Sequence, residues 1–153
     1  MVAMQSGDPV AYAPHIRKRP LAGVPAKDVI VQFAKGDLTA PNPTTTTLLR
    51  AGDLADRATY FRNDVFVATL PAGTQCTQAL RNPHNVAFNF TVPQRFAQRD
   101  EAQTQIATFF TSDGVTTIDP DPPGRNFWEV PIESLPETLN FLSVNCVPPP
   151  PGG

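Results

Sequence analysis

Residues 29–37 read VIVQFAKGD, a nearly uninterrupted apolar run that leads through a short turn to an acid. The run begins near Lys27, is rich in Val and Ile, and shows no alternation of polar and apolar residues. Continuous runs of this kind are typical of strands that are covered on both faces, as in a parallel sheet. We therefore predict a buried strand ending at Phe33, followed by a Gly-containing turn that carries Asp37 over the end of the sheet.

A helix and a second strand are predicted next along the chain. Asn42-Pro43 favours a helix start, with Asn as the N-cap and Pro at the first helical position. Gly52 is placed to end this helix in the left-handed conformation. Residues 58–62 then form a second short strand. Strand, helix and strand joined by short links predict a βαβ unit with parallel strands.

The second half of the chain is predicted to contain one clear helix. The stretch 63–92 is interrupted by Pro and Gly and is interpreted as a long loop. A helix is expected from about Pro93 to Thr111, with Phe109 and Phe110 in the core and Gly114 as its cap.

Proline accounts for 18 of the 153 residues of the whole chain, and both ends of the sequence are rich in it. Residues 1–25 are predicted to be a lid-like or linker segment. Residues 115–147 are expected to be extended. Pro131 has no N–H to donate to a sheet, so the residues around it should form an edge strand or an extended segment across the surface. Residues 148–153 form a Pro/Gly tail that we expect to be disordered.

Composition excludes several classes of function. The formal net charge is -2, which does not suit the clustered Lys and Arg that nucleic acids require. No apolar stretch approaches the length of a transmembrane helix. No Gly-rich phosphate loop and no metal-ligand spacing is present, so we expect no cofactor and no metal.

The two cysteines leave the compartment open. Cys76 and Cys146 could form a disulfide in an oxidising compartment, or they could be two unrelated thiols. An exported or periplasmic location stays unresolved by the sequence.

Two residue types placed past predicted strands indicate acid–base chemistry. Asp37 follows the first strand, and His84 lies in the turn Asn82-Pro83-His84-Asn85. Ligands of parallel sheets gather at the carboxyl ends of strands. A general base also needs a carboxylate that holds its second ring nitrogen. Asp37 and His84 are therefore the predicted catalytic acid and base, with Asp64 as the substitute acid.

Three stretches carry a resemblance to a known family. VIVQFAKGD (29–37), PNPTTTTLLRAGDLADRATYFRND (41–64) and NPHN (82–85) resemble the C-terminal part of bacterial lipase- or esterase-like α/β-hydrolases. The resemblance covers about residues 27–114. In that family the nucleophilic Ser comes first in the chain, then the acid, then the His. The resemblance thus implies Asp37 as the triad acid and His84 as the triad base, and this order excludes His15.

The resemblance implies an α/β fold, of which residues 26–114 would form the C-terminal portion of an α/β-hydrolase catalytic domain. A βαβ unit, a closing helix and an irregular Pro-rich tail would make up this fragment. The G-x-S-x-G motif of the nucleophile is missing from the sequence, and Ser6 lacks both the flanking glycines and a preceding strand. We expect the nucleophile and the oxyanion hole to lie upstream, in a missing half of the domain.

The full-length protein would then be a carboxylic-ester hydrolase that acts on small-molecule or lipid esters. The present chain alone is predicted to be inactive. The alternative is a non-catalytic, secreted binding or structural module. Such a module would use its Pro-rich loops and exposed aromatic residues such as Trp128 as a contact surface.

Overall fold

The computed structural model describes residues 7–71, 74 and 77–139. Its α-helices are α1 (Pro9–Ile16), α2 (Asn42–Gly52), α3 (Asn63–Ala68), α4 (Gln78–Arg81) and α5 (Phe96–Thr111). Its strands are β1 (Val31–Ala34), β2 (Ala58–Phe61) and β3 (Trp128–Glu129). Short 3-10 turns cover Ala55–Arg57, Val86–Phe88 and Pro93–Arg95.

The strands form one small mixed sheet in the order β1-β2-β3. β1 and β2 are parallel, with Phe33 opposite Tyr60, and α2 connects them in the chain. The predicted βαβ unit is therefore confirmed. β3 pairs antiparallel with the other side of β2 and ends before Pro131, which has no N–H to donate, as an edge strand allows.

The core lies on both faces of the sheet because successive side chains of a strand point to opposite sides. β2 is buried along its whole length. One face packs under α5 and the residues around His84, and its main members are Ala34, Phe61, Phe66, Val67, Leu80, Ala102 and Trp128. The other face packs under α2, and its members are Phe33, Leu49, Leu54, Ala58, Tyr60 and Ile132.

The start of α2 differs from its prediction by one residue. Asn42 is the first helical residue rather than the N-cap, and Pro41 occupies the cap position without a side-chain bond. The Asn42 side chain is buried and donates a hydrogen bond to the Tyr60 hydroxyl at 3.2 Å. The Asn42 side chain, which the local sequence predicts to be a helix cap, is therefore used in tertiary packing against β2 instead.

The end of α2 also differs from its prediction. Asp53, with φ 57°, is the left-handed residue, while Gly52 remains inside the helix. A Cβ atom on Gly52 would lie 2.7 Å from Leu54 Cδ1 and 3.0 Å from the carbonyl oxygen of Ala13. Glycine is therefore required at position 52 by close packing with the Leu54 side chain and with α1, not by its φ angle.

The prediction of a long loop over residues 63–92 is wrong. This stretch contains α3, α4 and the turn Val86–Phe88. Phe66, Val67 and Leu80 are buried, so short helices fold onto the sheet where the proline and glycine content indicated an irregular connection.

The closing helix is confirmed as α5, but its buried face is only partly the one predicted. Phe109 is buried, whereas Phe110 is 68% exposed. Gln98 and Gln105 are buried instead. Gly114 adopts φ 80° and donates its N–H to the carbonyl of Phe109 at 2.8 Å, which is the capping role predicted for it.

The segment predicted to be a lid or linker contains a helix, α1, which is capped by Asp8 and packed against α2. One further expectation, the exposure of Trp128, is corrected. Trp128 is only 3% exposed, and its indole nitrogen donates to Glu101 at 3.0 Å. Trp128 therefore contributes to the core and not to an exposed contact surface.

Some predictions fall on residues that the structure does not describe. These are the pairing of Cys76 with Cys146, the character of residues 148–153, and Ser6. Among the described residues, no helix has the length and apolar character needed to cross a membrane.

Candidate acid–base site

The structure brings Asp37 and His84 together, although 47 positions separate them in the chain. His84 Nδ1 lies 2.9 Å from Asp37 Oδ2 and 3.1 Å from Oδ1. A carboxylate can only accept, so the proton of a neutral His84 ring is on Nδ1. Nε2 then keeps its lone pair, and it has no hydrogen-bonding partner within the described part of the chain.

The carboxylate of Asp37 is fixed by its own turn. Gly36 adopts φ 81°, which turns the chain sharply after β1. Asp37 Oδ1 accepts hydrogen bonds from the backbone N–H groups of Thr39 at 2.7 Å and Ala40 at 2.9 Å. Asp37 is 7% exposed, so the bonds satisfy a nearly buried charge and set its direction.

His84 is presented by a turn rather than by a strand end, which corrects the expectation that it directly follows a strand. It lies three residues after α4, and Asn85 next to it adopts the left-handed φ of 59°. Its backbone N–H donates to Asn82 Oδ1 at 3.1 Å. The ring is about one-third exposed, so it can reach solvent or a substrate.

Arg95 stabilises the turn that carries His84, and no pattern in the sequence indicates this role. It is 1% exposed, and its guanidinium donates to the carbonyl of Asn82 at 2.8 Å and to Asn63 Oδ1 at 2.7 Å. It also donates to the carbonyls of Ala79 and Leu80. Burial lowers the pKa of Arg95 to about 10, which still leaves it protonated near neutral pH.

Two cavities meet at His84. The larger, of about 660 Å³, is lined by both polar and apolar side chains, among them Leu38, Asn82, Phe88, Asn89 and Arg95. The smaller, of about 220 Å³, is lined by His84 and also by Phe33, Asp37 and Val86. His84 therefore lines both cavities while Asp37 holds its Nδ1.

Asp64, the substitute acid, is engaged elsewhere. Lys35 Nζ lies 2.7 Å from Asp64 Oδ2, and Arg62 binds both carboxylate oxygens at 2.9 and 3.0 Å. Burial raises the pKa of Asp64, but the hydrogen bonds from Arg62 and Lys35 outweigh it and lower the pKa to about 2. No hydrogen bond joins Asp64 to His84 in the described structure.

The remaining His and acid candidates lie away from the pair. His15 Nδ1 is 2.9 Å from the carbonyl oxygen of Arg19, on the exposed end of α1. Asp56 is paired with Arg17 at 2.8 Å, at the start of β2. Within the residues described, no group of three or more His, Cys, Asp or Glu side chains could hold a metal ion.

No protein-family model, no curated protein and no solved structure matches this chain. The fold itself shows an α/β arrangement of helices around a small mixed sheet. The geometry around Asp37 and His84 is therefore the basis for assigning a function.

Proposed function

We propose that Asp37 and His84 are the acid and base of a serine-type hydrolase that acts on carboxylic esters. In this proposal the nucleophilic Ser and the oxyanion hole belong to a part of the protein upstream of this sequence. The carrying observation is the 2.9 Å contact between His84 Nδ1 and Asp37 Oδ2, beside a cleft and with Nε2 unpartnered among the described residues.

The chemistry requires a base that is oriented by an acid. His84 Nε2 takes the proton of the Ser hydroxyl while the Ser oxygen attacks the ester carbonyl carbon. The resulting imidazolium is stabilised by Asp37 and returns the proton to the departing alcohol, which leaves an acyl-enzyme. Water then attacks the acyl carbonyl carbon while the same ring takes its proton, and the ring returns that proton to the Ser oxygen as the carboxylic acid leaves.

The buried environment of Asp37 supports this assignment. Its Oδ1 is already fixed by two backbone N–H groups, so the carboxylate cannot rotate away when the ring becomes charged. Leu38 and Phe88 are exposed apolar side chains on the wall of the cleft beside His84. They offer contact area to the apolar part of an ester.

The outer edge of β1 is compatible with an upstream part of the sheet. The backbone N–H of Lys35 points to β2, where it donates to the carbonyl of Phe61, so the alternate residues Gln32 and Ala34 present their N–H groups on the other side. No other strand of the described structure pairs with that side. A further parallel strand could extend the sheet there.

Two experiments test the proposal. The coding frame upstream of Met1 should encode a strand followed by G-x-S-x-G. In the full-length protein, a fluorophosphonate probe should label the Ser, and His84→Ala should abolish the labelling, whereas the control His15→Ala should not. Full labelling of His84→Ala would contradict the role of His84 as the base.

A non-catalytic binding or structural module is the second candidate function, and the exposed aromatic side chains of Phe88, Phe90 and Phe110 are the observation that favours it. Trp128, the aromatic residue that suggested a contact surface, is buried against Phe61 at a ring distance of 4.8 Å.

A further inference from the structure

We infer that Asn82 is a positioning residue that holds the acid loop and the base loop of this site at a fixed separation. This inference rests on the proposed function, because it assigns a role toward the Asp37–His84 pair. Asn82 itself touches neither the Asp37 carboxylate nor the His84 ring by any hydrogen bond in the described structure.

The Asn82 side chain binds both loops at once. Its Oδ1 accepts the backbone N–H of Leu38, which directly follows Asp37, at 3.1 Å. The same oxygen accepts the backbone N–H of His84 at 3.1 Å. Its Nδ2 lies 3.4 Å from Thr39 Oγ1 and donates a longer bond to the acid loop. One amide group therefore fixes the backbone beside each member of the pair.

The backbone of Asn82 is fixed in turn by a buried charge. Arg95 donates to the Asn82 carbonyl at 2.8 Å, and the same guanidinium reaches Asn63, the residue that begins α3 after β2. The base loop is thus anchored to the end of β2, while the acid loop continues from β1. Asn82 links these two anchored segments across the rim of the sheet.

This arrangement explains why a turn can hold a base accurately. Turns are less rigid than strands, and a displacement of about 1 Å at a reacting group can cost about 100-fold in rate. The hydrogen bond between His84 and Asp37 restrains only the ring. The bonds of Asn82 restrain the two backbones from which the ring and the carboxylate project.

The chain contains a matched control. Asn89 is also half-buried and lines the same cleft, and its Oδ1 also accepts two backbone N–H groups, those of Thr91 at 3.1 Å and Val92 at 3.0 Å. In the described structure, none of the hydrogen bonds of this side chain reaches the acid loop. Substituting Asn89 removes the same kind of hydrogen bonds without separating the two loops.

The test measures the Nδ1 proton of His84 by NMR in the present chain. Asn82→Leu should speed the exchange of this proton with water by about tenfold, which corresponds to the loss of one or two ordinary hydrogen bonds. Asn89→Leu should not change it, and Asn82→Asp, which keeps the acceptor for both N–H groups, should restore slow exchange. The exchange of the backbone amide protons of β2 reports global unfolding. Its rate should be the same in the variants as in the wild-type chain.

The outcomes separate this inference from the proposed function. Unchanged exchange in Asn82→Leu, an equal effect of Asn89→Leu, or failure of Asn82→Asp to restore slow exchange overturns the positioning role. A wild-type chain without a protected Nδ1 proton overturns the pair itself and the inference with it. A protected proton together with a full-length protein that no fluorophosphonate labels overturns only the hydrolase assignment.

Discussion

Lys35 Nζ lies 2.7 Å from Asp64 Oδ2, and the two residues come from the ends of different parallel strands. Arg62, directly after β2, binds the same carboxylate. The end of the sheet that carries Asp37 therefore also carries a second acid, Asp64, whose charge is neutralised by Lys35 and Arg62. Within the described residues, Asp37 is hydrogen-bonded only by neutral backbone groups and by His84, which leaves it as the acid that can respond to a charge on the imidazole.

Asp64→Asn is expected to lower stability near neutral pH without disturbing the His84 ring. The pKa of Asp64 falls from 3.8 to about 2 on folding, so its stabilisation is fully present above about pH 4 and is lost as the pH falls through 2. The variant should lose on the order of 2 kcal/mol at pH 7, and less at pH 3. Urea unfolding at several pH values measures this difference.

The control for this prediction is Asp100→Asn, which removes a mostly exposed carboxylate paired with Arg99. Exposed pairs contribute about 0–1 kcal/mol, so this change should have little effect at any pH. An equal deficit of Asp64→Asn at pH 7 and at pH 2 would contradict the assigned ion cluster.

Under the proposed function, Asp37→Asn is expected to lower the turnover of the full-length protein by about 10⁴-fold, with little change in KM. The amide of Asn can donate to Nδ1, which moves the imidazole proton to Nε2, where the Ser proton should be accepted. Ester hydrolysis by purified full-length variants measures the loss. Asp64→Asn serves as the control and should retain turnover, and the reverse result would make Asp64 the acid.

The sequence was sufficient for elements that depend on local patterns. The β-branched run around Val31 predicted β1, and the spacing from Pro93 to Thr111 predicted α5 because both signals lie within one element. α1 carried a usable signal as well, since Asp8-Pro9 is a cap followed by Pro at the first helical position. The proline content of the segment concealed it.

Side chains whose role depends on distant partners could not be predicted in the same way. Gln105 is buried because it accepts a hydrogen bond from Gln32 on β1 at 2.7 Å and donates to the carbonyl of Ile118 at 2.6 Å. Neither partner is near it in sequence, so the helical pattern of α5 gives no signal that this polar residue is buried. Asn82 and Arg95 were missed for the same reason, because their partners come from several separate segments.

Arg95→Met is expected to destabilise the fold by on the order of 3 kcal/mol. The substitution keeps much of the side-chain volume but leaves buried acceptors, including the carbonyl of Asn82 and Asn63 Oδ1, without a donor. Chemical unfolding followed by circular dichroism measures the loss. Arg19→Met, which removes an arginine side chain at an exposed position after α1, should change stability by less than about 1 kcal/mol. Equal effects of the two variants would show that the buried bonds of Arg95 contribute nothing specific.

Gly52→Ala is expected to destabilise the protein, although Ala normally improves a helix by about 1 kcal/mol over Gly. The new Cβ would lie 2.7 Å from Leu54 Cδ1 and 3.0 Å from the carbonyl of Ala13, and Leu54 is fully buried. Relieving these contacts requires the buried Leu54 side chain to shift and α1 to move away from α2, so we expect a loss of about 1–3 kcal/mol.

The matched control for Gly52→Ala is Thr47→Ala, an exposed position of the same helix. There the higher helix propensity of Ala should raise stability slightly or leave it unchanged. Urea unfolding of both variants gives the comparison. A stabilised Gly52→Ala would mean that α1 does not pack against α2 as closely as the distances indicate, because only open space at position 52 lets the intrinsic preference for Ala prevail.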